Sequence, residues 1–154
     1  QITLPPKLAI SFKKGDFMSK LSAFLHPVEE KREKEVIVST RFRDEKDKPI
    51  PFKIRSLTQE ENEAITKKSM RVKKINKQAQ EVLDSGEYSR RIVVAATVEP
   101  DFSSKELCDG FGVVDPLLVP AKMLLVGEYN KLLEEIMGLS GIELENEAEE
   151  DAKN

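Results

Sequence analysis

Residues 49–68 read PIPFKIRSLTQEENEAITKK, and this stretch decides the fold class. In its first half Ile50, Phe52 and Ile54 alternate with Pro51, Lys53 and Arg55, the two-residue period of a strand with one buried face. In its second half Thr58-Gln59-Glu60-Glu61 has the form of a capping box. The Thr hydroxyl serves an exposed backbone N–H, Glu61 reaches back to the cap, and Leu57 supplies a hydrophobic staple. A strand that runs straight into a capped helix belongs to an α+β domain. Pro49 and Pro51 cannot donate to a ladder, so this strand is expected either at a sheet edge or to start late.

Upstream, Glu35–Phe42 (EVIVSTRF) is rich in β-branched residues and reads as the partner strand. The polar stretch 43–48 (RDEKDK) joins the two as a hairpin with a long loop. A lone hairpin is marginal in water, so it must pack on something. Downstream, Ile65, Val72, Ile75, Ala79 and Val82 recur at helical spacing. That spacing predicts one helix from Thr58 to about Asp84, closed by Ser85-Gly86. Lys68 interrupts the stripe, which argues against a free-standing coiled coil. The middle of this helix is basic, with Lys67, Lys68, Arg71, Lys73, Lys74 and Lys77. A nucleic-acid-binding or regulatory role for the basic helix Lys67–Lys77 is the alternative functional reading. A solvated face balanced by Glu60, Glu61, Glu63 and Glu81 is favoured, because no aromatic interleaving or base-reading motif accompanies the run.

Residues 87–99 (EYSRRIVVAATVE) have strand propensity in Ile92–Val98, but their length and the Ala pair favour a buried helix ended by Pro100. Ser103 or Ser104 caps a short helix through Leu107. Gly110 and Gly112 break the chain without forming a dinucleotide fingerprint. Pro116 and Pro120 are natural helix starts, and Leu117, Leu118, Met123 and Leu124 are expected to be buried. The last helix, Tyr129–Leu139, places Tyr129, Leu132, Leu133, Ile136 and Leu139 on one face, with Gly138 and Gly141 terminating it. The expected architecture is an N-terminal β-hairpin packed on a small bundle of four to five helices, in one domain spanning residues 18–142.

The ends read differently. Ser19–Leu25 (SKLSAFL) is a short amphipathic piece stopped by Pro27, and Glu29–Glu35 is a charge run expected to be a solvated turn or linker. Lys13–Phe17 can be back-translated to a string holding a ribosome-binding core, GGAG, just ahead of the Met18 codon. Residues 1–17 are therefore expected to be a non-native or flexible arm, and Met18 a natural start. Residues 143–154 (ELENEAEEDAKN) form an acidic tail, expected to be flexible.

Composition narrows the function. A net charge of -3 gives no whole-chain electrostatic footprint for nucleic acid. No apolar run approaches the roughly 20 residues that span a bilayer, so no membrane partner is expected. A single cysteine, Cys108, has no internal disulfide partner and fits a reducing cytoplasm. One histidine and one cysteine cannot make a zinc site, and His26 has no set of partners for acid–base chemistry. There is no nucleophile elbow and no P-loop. A non-enzymatic protein-binding domain without cofactor or metal is the expectation, with homo-oligomerisation left open.

A family resemblance sharpens this. Val98-Glu99-Pro100-Asp101, then Lys105-Glu106-Leu107, then Met123-Leu124-Leu125-Val126-Gly127-Glu128-Tyr129, with Leu132, Ile136, Leu139 and Gly141 following, resemble the XkdN-like family of phage tail assembly chaperones of PBSX-type Bacillus prophages. The likeness runs from about Met18 to Gly141. Where the family commonly has proline before Gly-Glu-Tyr, this chain has Val126. The resemblance implies a host-cytoplasmic chaperone, absent from the mature virion, that binds the tape measure protein and secondarily tail tube subunits. Many such genes also yield a frameshifted longer product, and Ala152-Lys153-Asn154 can be encoded over a slippery A-AAA-AAC. For partner binding the segment from Gly127 to Leu139 is selected, with Gly127, Glu128, Tyr129, Lys131, Leu132 and Glu135 as candidate residues.

Overall fold

The computed structural model describes residues 19–28 and 32–142, in two units that divide between Glu30 and Lys31. The expected N-terminal arm 1–17 and the acidic tail 143–154 lie outside the described residues.

The first unit holds helix α1, Lys20–Leu25. The Ser19 hydroxyl accepts from the Ser22 N–H at 3.1 Å and caps it. At its other end His26 donates through Nδ1 to the Ser22 carbonyl at 3.0 Å, so the histidine serves the helix end, and Pro27 follows.

The second unit is the α+β domain. Strands β1 (Glu33–Val36) and β2 (Phe52–Arg55) pair antiparallel, with Val36 opposite Phe52 and Glu33 opposite Arg55. The hairpin therefore exists, but β1 lies two residues earlier than the reading 35–42 and ends at Val36. After Val36 the chain leaves the ladder and rejoins it in a shifted register, where the Ile50 N–H donates to the Phe42 carbonyl at 2.8 Å. The loop is closed by a bridge between Arg43 and Pro49 and by Asp44, whose carboxylate accepts from the Lys46 and Lys48 N–H groups. Glu33–Glu35, expected in a solvated linker, are strand residues whose side chains stay exposed. The second strand starts late, as expected, but it is not an edge. Strand β5 (Thr97–Glu99) pairs on its other side, giving the order β1-β2-β5.

Helix α2 (Gln59–Lys68) begins at the expected capping box: Thr58 Oγ1 accepts from the Glu61 N–H, and a Glu61 carboxylate oxygen accepts from the Thr58 N–H at 3.0 Å. It does not run to Asp84. Residues 70–83 form a second hairpin, β3 (Met70–Ile75) with β4 (Gln78–Leu83). The helix ends at Ser69, whose hydroxyl turns back to the Ile65 carbonyl at 2.7 Å, and the Asp84 N–H donates to the Ser69 carbonyl to close the base. Asn76 and Lys77 both take positive φ, 54° and 68°, making the two-residue turn. The stripe read as one helix face is thus divided, and the basic helix Lys67–Lys77 does not exist. Its cations fall on the last turn of α2 and on an exposed β-ribbon. Ser85-Gly86 opens helix α3 (Ser85–Ala96) instead of ending a helix, because Asp84 accepts from the Glu87 N–H and caps it.

Helix α3 bears out the helical reading of 87–99 as far as Ala96, but Thr97–Glu99, expected in the same helix up to Pro100, are strand β5 paired with β2. Ser104 caps α4 (Lys105–Gly110), a 3-10 turn covers Pro116–Leu118, and α5 spans Val119–Met123. Leu124 is buried as expected, Leu117 and Met123 only partly, and Leu118 is exposed, since Val119 takes the inward position at this turn. Helix α6 runs from Val126 to Ser140. It passes through Gly138 and ends at Gly141, whose φ of 72° makes the left-handed cap. The core joins Phe52 and Ile54 of β2, Ile92, Val93 and Ala96 of α3, and Leu132 and Ile136 of α6, with Phe102 and Val119 completing it.

Candidate functional site

Where α5 gives way to α6, residues with backbone-fixed positions meet a distant arginine. Leu125 is extended (φ -76°, ψ 161°) and has no side-chain oxygen with which to cap the helix. Glu128, in the third helical position, accepts from the Leu125 N–H at 2.8 Å. The Glu128 carboxylate also takes a bidentate pair from Arg41, Nε at 3.0 Å and Nη2 at 2.6 Å. Arg41 Nη2 donates to the Met123 carbonyl at 3.1 Å as well, and its guanidinium lies 5.0 Å from the Phe42 ring centre. These donors, Arg41 first, then the Leu125 N–H and Ser39, hold the Glu128 carboxyl down at about 2. The segment entering α6 is thus tied to the loop after β1.

Beside this junction lies a groove of about 480 Å³. Helix α3 contributes Gly86, Ser89 and Arg90, the α5 side contributes Ala121 and Leu124, and α6 contributes Val126, Tyr129, Asn130 and Leu133. Its lining mixes the aliphatic side chains of Ala121, Leu124, Val126 and Leu133 with Ser89, Asn130 and one cation, Arg90. Burial raises the Tyr129 phenol above its usual range, with Arg90 opposing that shift. At the α6 entrance Leu125 is 60% exposed and Val126 79% exposed, which leaves two aliphatic side chains in water beside the groove. Such an arrangement suits the apolar face of a helix or an extended apolar segment.

The structure sorts the six residues selected from sequence. Tyr129 lines the groove, and Gly127 and Lys131 are exposed on the same helix. Glu128 is spoken for by Arg41, and Glu135 makes an ion pair with Lys34 at 2.7 Å. Leu132 is fully buried and faces the core, so it sets the position of α6 and leaves surface contact to its neighbours. Sequence reasoning missed the α3 wall, above all Arg90, because nothing local pairs residues 86–90 with 126–133. The exposed Leu125 and Val126 were within reach of inspection: two aliphatic residues ahead of the predicted helix face carry no core periodicity.

The sequence profile of the family described as phage XkdN-like tail assembly chaperone protein matches residues 21–153. The phage-like element PBSX protein XkdN of Bacillus subtilis (strain 168) is 34% identical over 128 residues, covering 81% of this chain and 86% of that protein. The uncharacterized protein YqbN of the same strain is 34% identical over the same coverage. The crystal structure of the protein YqbN superposes with a TM-score of 0.64 at 27% identity, covering 87% of this chain and all of that one.

Proposed function

The chain belongs to the phage XkdN-like tail assembly chaperone family, and we propose that it binds the tape measure protein, and secondarily tail tube subunits, while the tail is being built. Membership of a chaperone family implies a non-enzymatic role. The observation that carries the finer reading is the partly apolar groove between α3, α5 and α6, with Leu125 and Val126 exposed at its entrance. A long helical protein with an apolar stripe aggregates unless the stripe is covered. Helix-in-groove packing covers it: Tyr129 and Leu133 meet the apolar stripe, and Arg90 takes an acidic residue beside it. Gly127 at the entrance admits close approach of a partner backbone. Glu128 and Leu132 hold the helix that presents them. On this reading the protein works in the cytoplasm of the bacterial host and is left out of the mature virion. No helix among the described residues is long and apolar enough to cross a membrane.

The test is co-expression with the tape measure protein encoded nearby. The expected result is that the partner becomes soluble and co-purifies at a fixed ratio. A partner that stays insoluble, with no complex on gel filtration, overturns the proposal.

A further inference from the structure

The ribbon β3–β4 takes no part in the groove. Nearly all of its side chains are exposed, and its two outer edges pair with no described strand. Ile75 and Gln78 flank the two-residue turn and form a hydrogen-bonded pair, and the bonding recurs at Lys73 with Gln80 and at Arg71 with Val82. The N–H and C=O groups of Val72 and Lys74 on β3, and of Ala79 and Glu81 on β4, therefore point away from the ribbon. An edge with free backbone groups accepts a further strand.

The side chains decide which strand. Successive residues of β3 alternate between faces, so Val72 and Lys74 share one face while Lys73 and Ile75 share the other. Arg71 is held at the base by Glu87 at 3.0 Å. Lys73 and Lys74 make no ion pair among the described residues. Val72 is 69% exposed and Ile75 39% exposed. From Val72 to Ile75 the edge thus reads apolar, cation, cation, apolar. A strand laid beside it alternates its own side chains between the same two faces. Both lysines then meet an acid when two acids are consecutive in the added strand, and an apolar residue on each side of them meets Val72 and Ile75. The pattern is the same in either direction, so parallel and antiparallel approach both satisfy it.

Other occupants fit less well. The β4 edge carries Glu81 as its sole charge and repels an acidic strand. A second copy offering β4 brings that one acid to two lysines, and one offering β3 sets like charges opposite one another. A ribbon enters the major groove of DNA with one face, but Lys73 and Lys74 lie on opposite faces, and Glu81 shares the face of Lys74.

We propose that the outer edge of β3 is a second docking surface, separate from the groove. It takes an extended segment of a partner protein in which two consecutive acidic residues stand between β-branched ones, added as a strand alongside Val72–Ile75. Backbone bonds to Val72 and Lys74 hold the segment, and Lys73 and Lys74 select it.

Amide hydrogen exchange on the full 154-residue chain tests this, with two synthetic peptides as probes. One has the core Thr-Val-Glu-Glu-Val-Thr, the other Thr-Val-Lys-Lys-Val-Thr. The glutamate peptide is expected to slow exchange at the outward Val72 and Lys74 amides of the parent and to leave the buried Leu132 amide of α6 unchanged. In Lys73→Glu/Lys74→Glu its affinity is expected to fall about tenfold, the size of two exposed ion pairs lost. That variant is expected to take the lysine peptide instead. The proposal is overturned if the glutamate peptide fails to slow these two amides in the parent, or binds parent and variant equally. Protection that is present without peptide and rises with protein concentration would make a second copy the occupant and overturn it. A short DNA duplex that binds the parent more tightly than the glutamate peptide at the same salt would assign the lysines to nucleic acid and overturn it too.

Discussion

Glu61 and Glu128 each occupy the third position of a helix, and each accepts from the backbone N–H of the residue that precedes that helix, Thr58 at 3.0 Å and Leu125 at 2.8 Å. Each also takes a bidentate arginine, Arg55 for Glu61 and Arg41 for Glu128. The arginine bonds are the leading cause, the cap bonds the next favourable one, and both carboxyls fall from an ordinary 4.5 to about 2. A carboxyl whose folded-state value is depressed contributes its stability above the unfolded value and loses it as pH falls through the folded one. Stability drawn from this pair is therefore whole near neutrality and is lost between about 4.5 and about 2. In urea unfolding, Glu61→Gln/Glu128→Gln is expected to be weaker than the parent at pH 7 and to lose less between pH 5 and pH 2. Equal slopes across that window would show the two carboxylates to be bystanders. Only one of the two was legible in the sequence. Thr58 advertises its cap with a hydroxyl, whereas Leu125 has none, and Arg41 lies 87 residues from its partner.

At the scale of the element, residues 58–84 show why periodicity alone divides helix from strand poorly. Val72, Ile75, Ala79 and Val82 fit a helical stripe, and on the ribbon Val72 and Ala79 fall on one face while Ile75 and Val82 fall on the other. The deciding features are local: Ser69 bonds back to Ile65 and stops the helix, and Asn76-Lys77 turns the chain. Asn tolerates the left-handed region, but a lysine at φ 68° is strained, at roughly 1–2 kcal/mol for a residue with a Cβ. Lys77→Gly creates Asn-Gly, the preferred pair for such a turn, and is expected to stabilise the ribbon by about 1 kcal/mol. Slower exchange of the Lys73 and Ile75 amides, which face β4, would report it. Lys77→Ala removes the same charge and keeps the Cβ, so a matching gain in that variant would refute the strain argument. The first hairpin, by contrast, was legible because Phe52 and Ile54 alternate with Lys53 and Arg55 beside a partner rich in β-branched residues. Its extent was not, since β1 ends at Val36, and the third strand, β5, lay beyond a local reading.

For the whole molecule, the sheet and α3 fix where α6 lies, and α6 then offers one face to the core and its entrance to the groove. The α+β class and both long helices of the groove were legible, α6 from the spacing of Leu132 and Ile136 and α3 from the length of its apolar run and its Ala pair. The groove itself was not, because it arises from the approach of α3 to α5 and α6, a matter of tertiary packing. This division lets binding be separated from folding. Leu132→Ala removes a fully buried side chain and is expected to cost about 2–5 kcal/mol of stability. Val126→Asp changes a side chain that is 79% exposed and puts an acid in the first turn of α6, where the helix dipole favours it. Its thermal midpoint is expected to stay within a few degrees of the parent, while its capacity to solubilise the tape measure protein falls at least tenfold for a desolvated contact of about 1.4 kcal/mol. If Val126→Asp solubilises the partner as well as the parent does, the partner does not use the groove entrance. If only Leu132→Ala impairs it, stability of the domain, and not this surface, limits the chaperone.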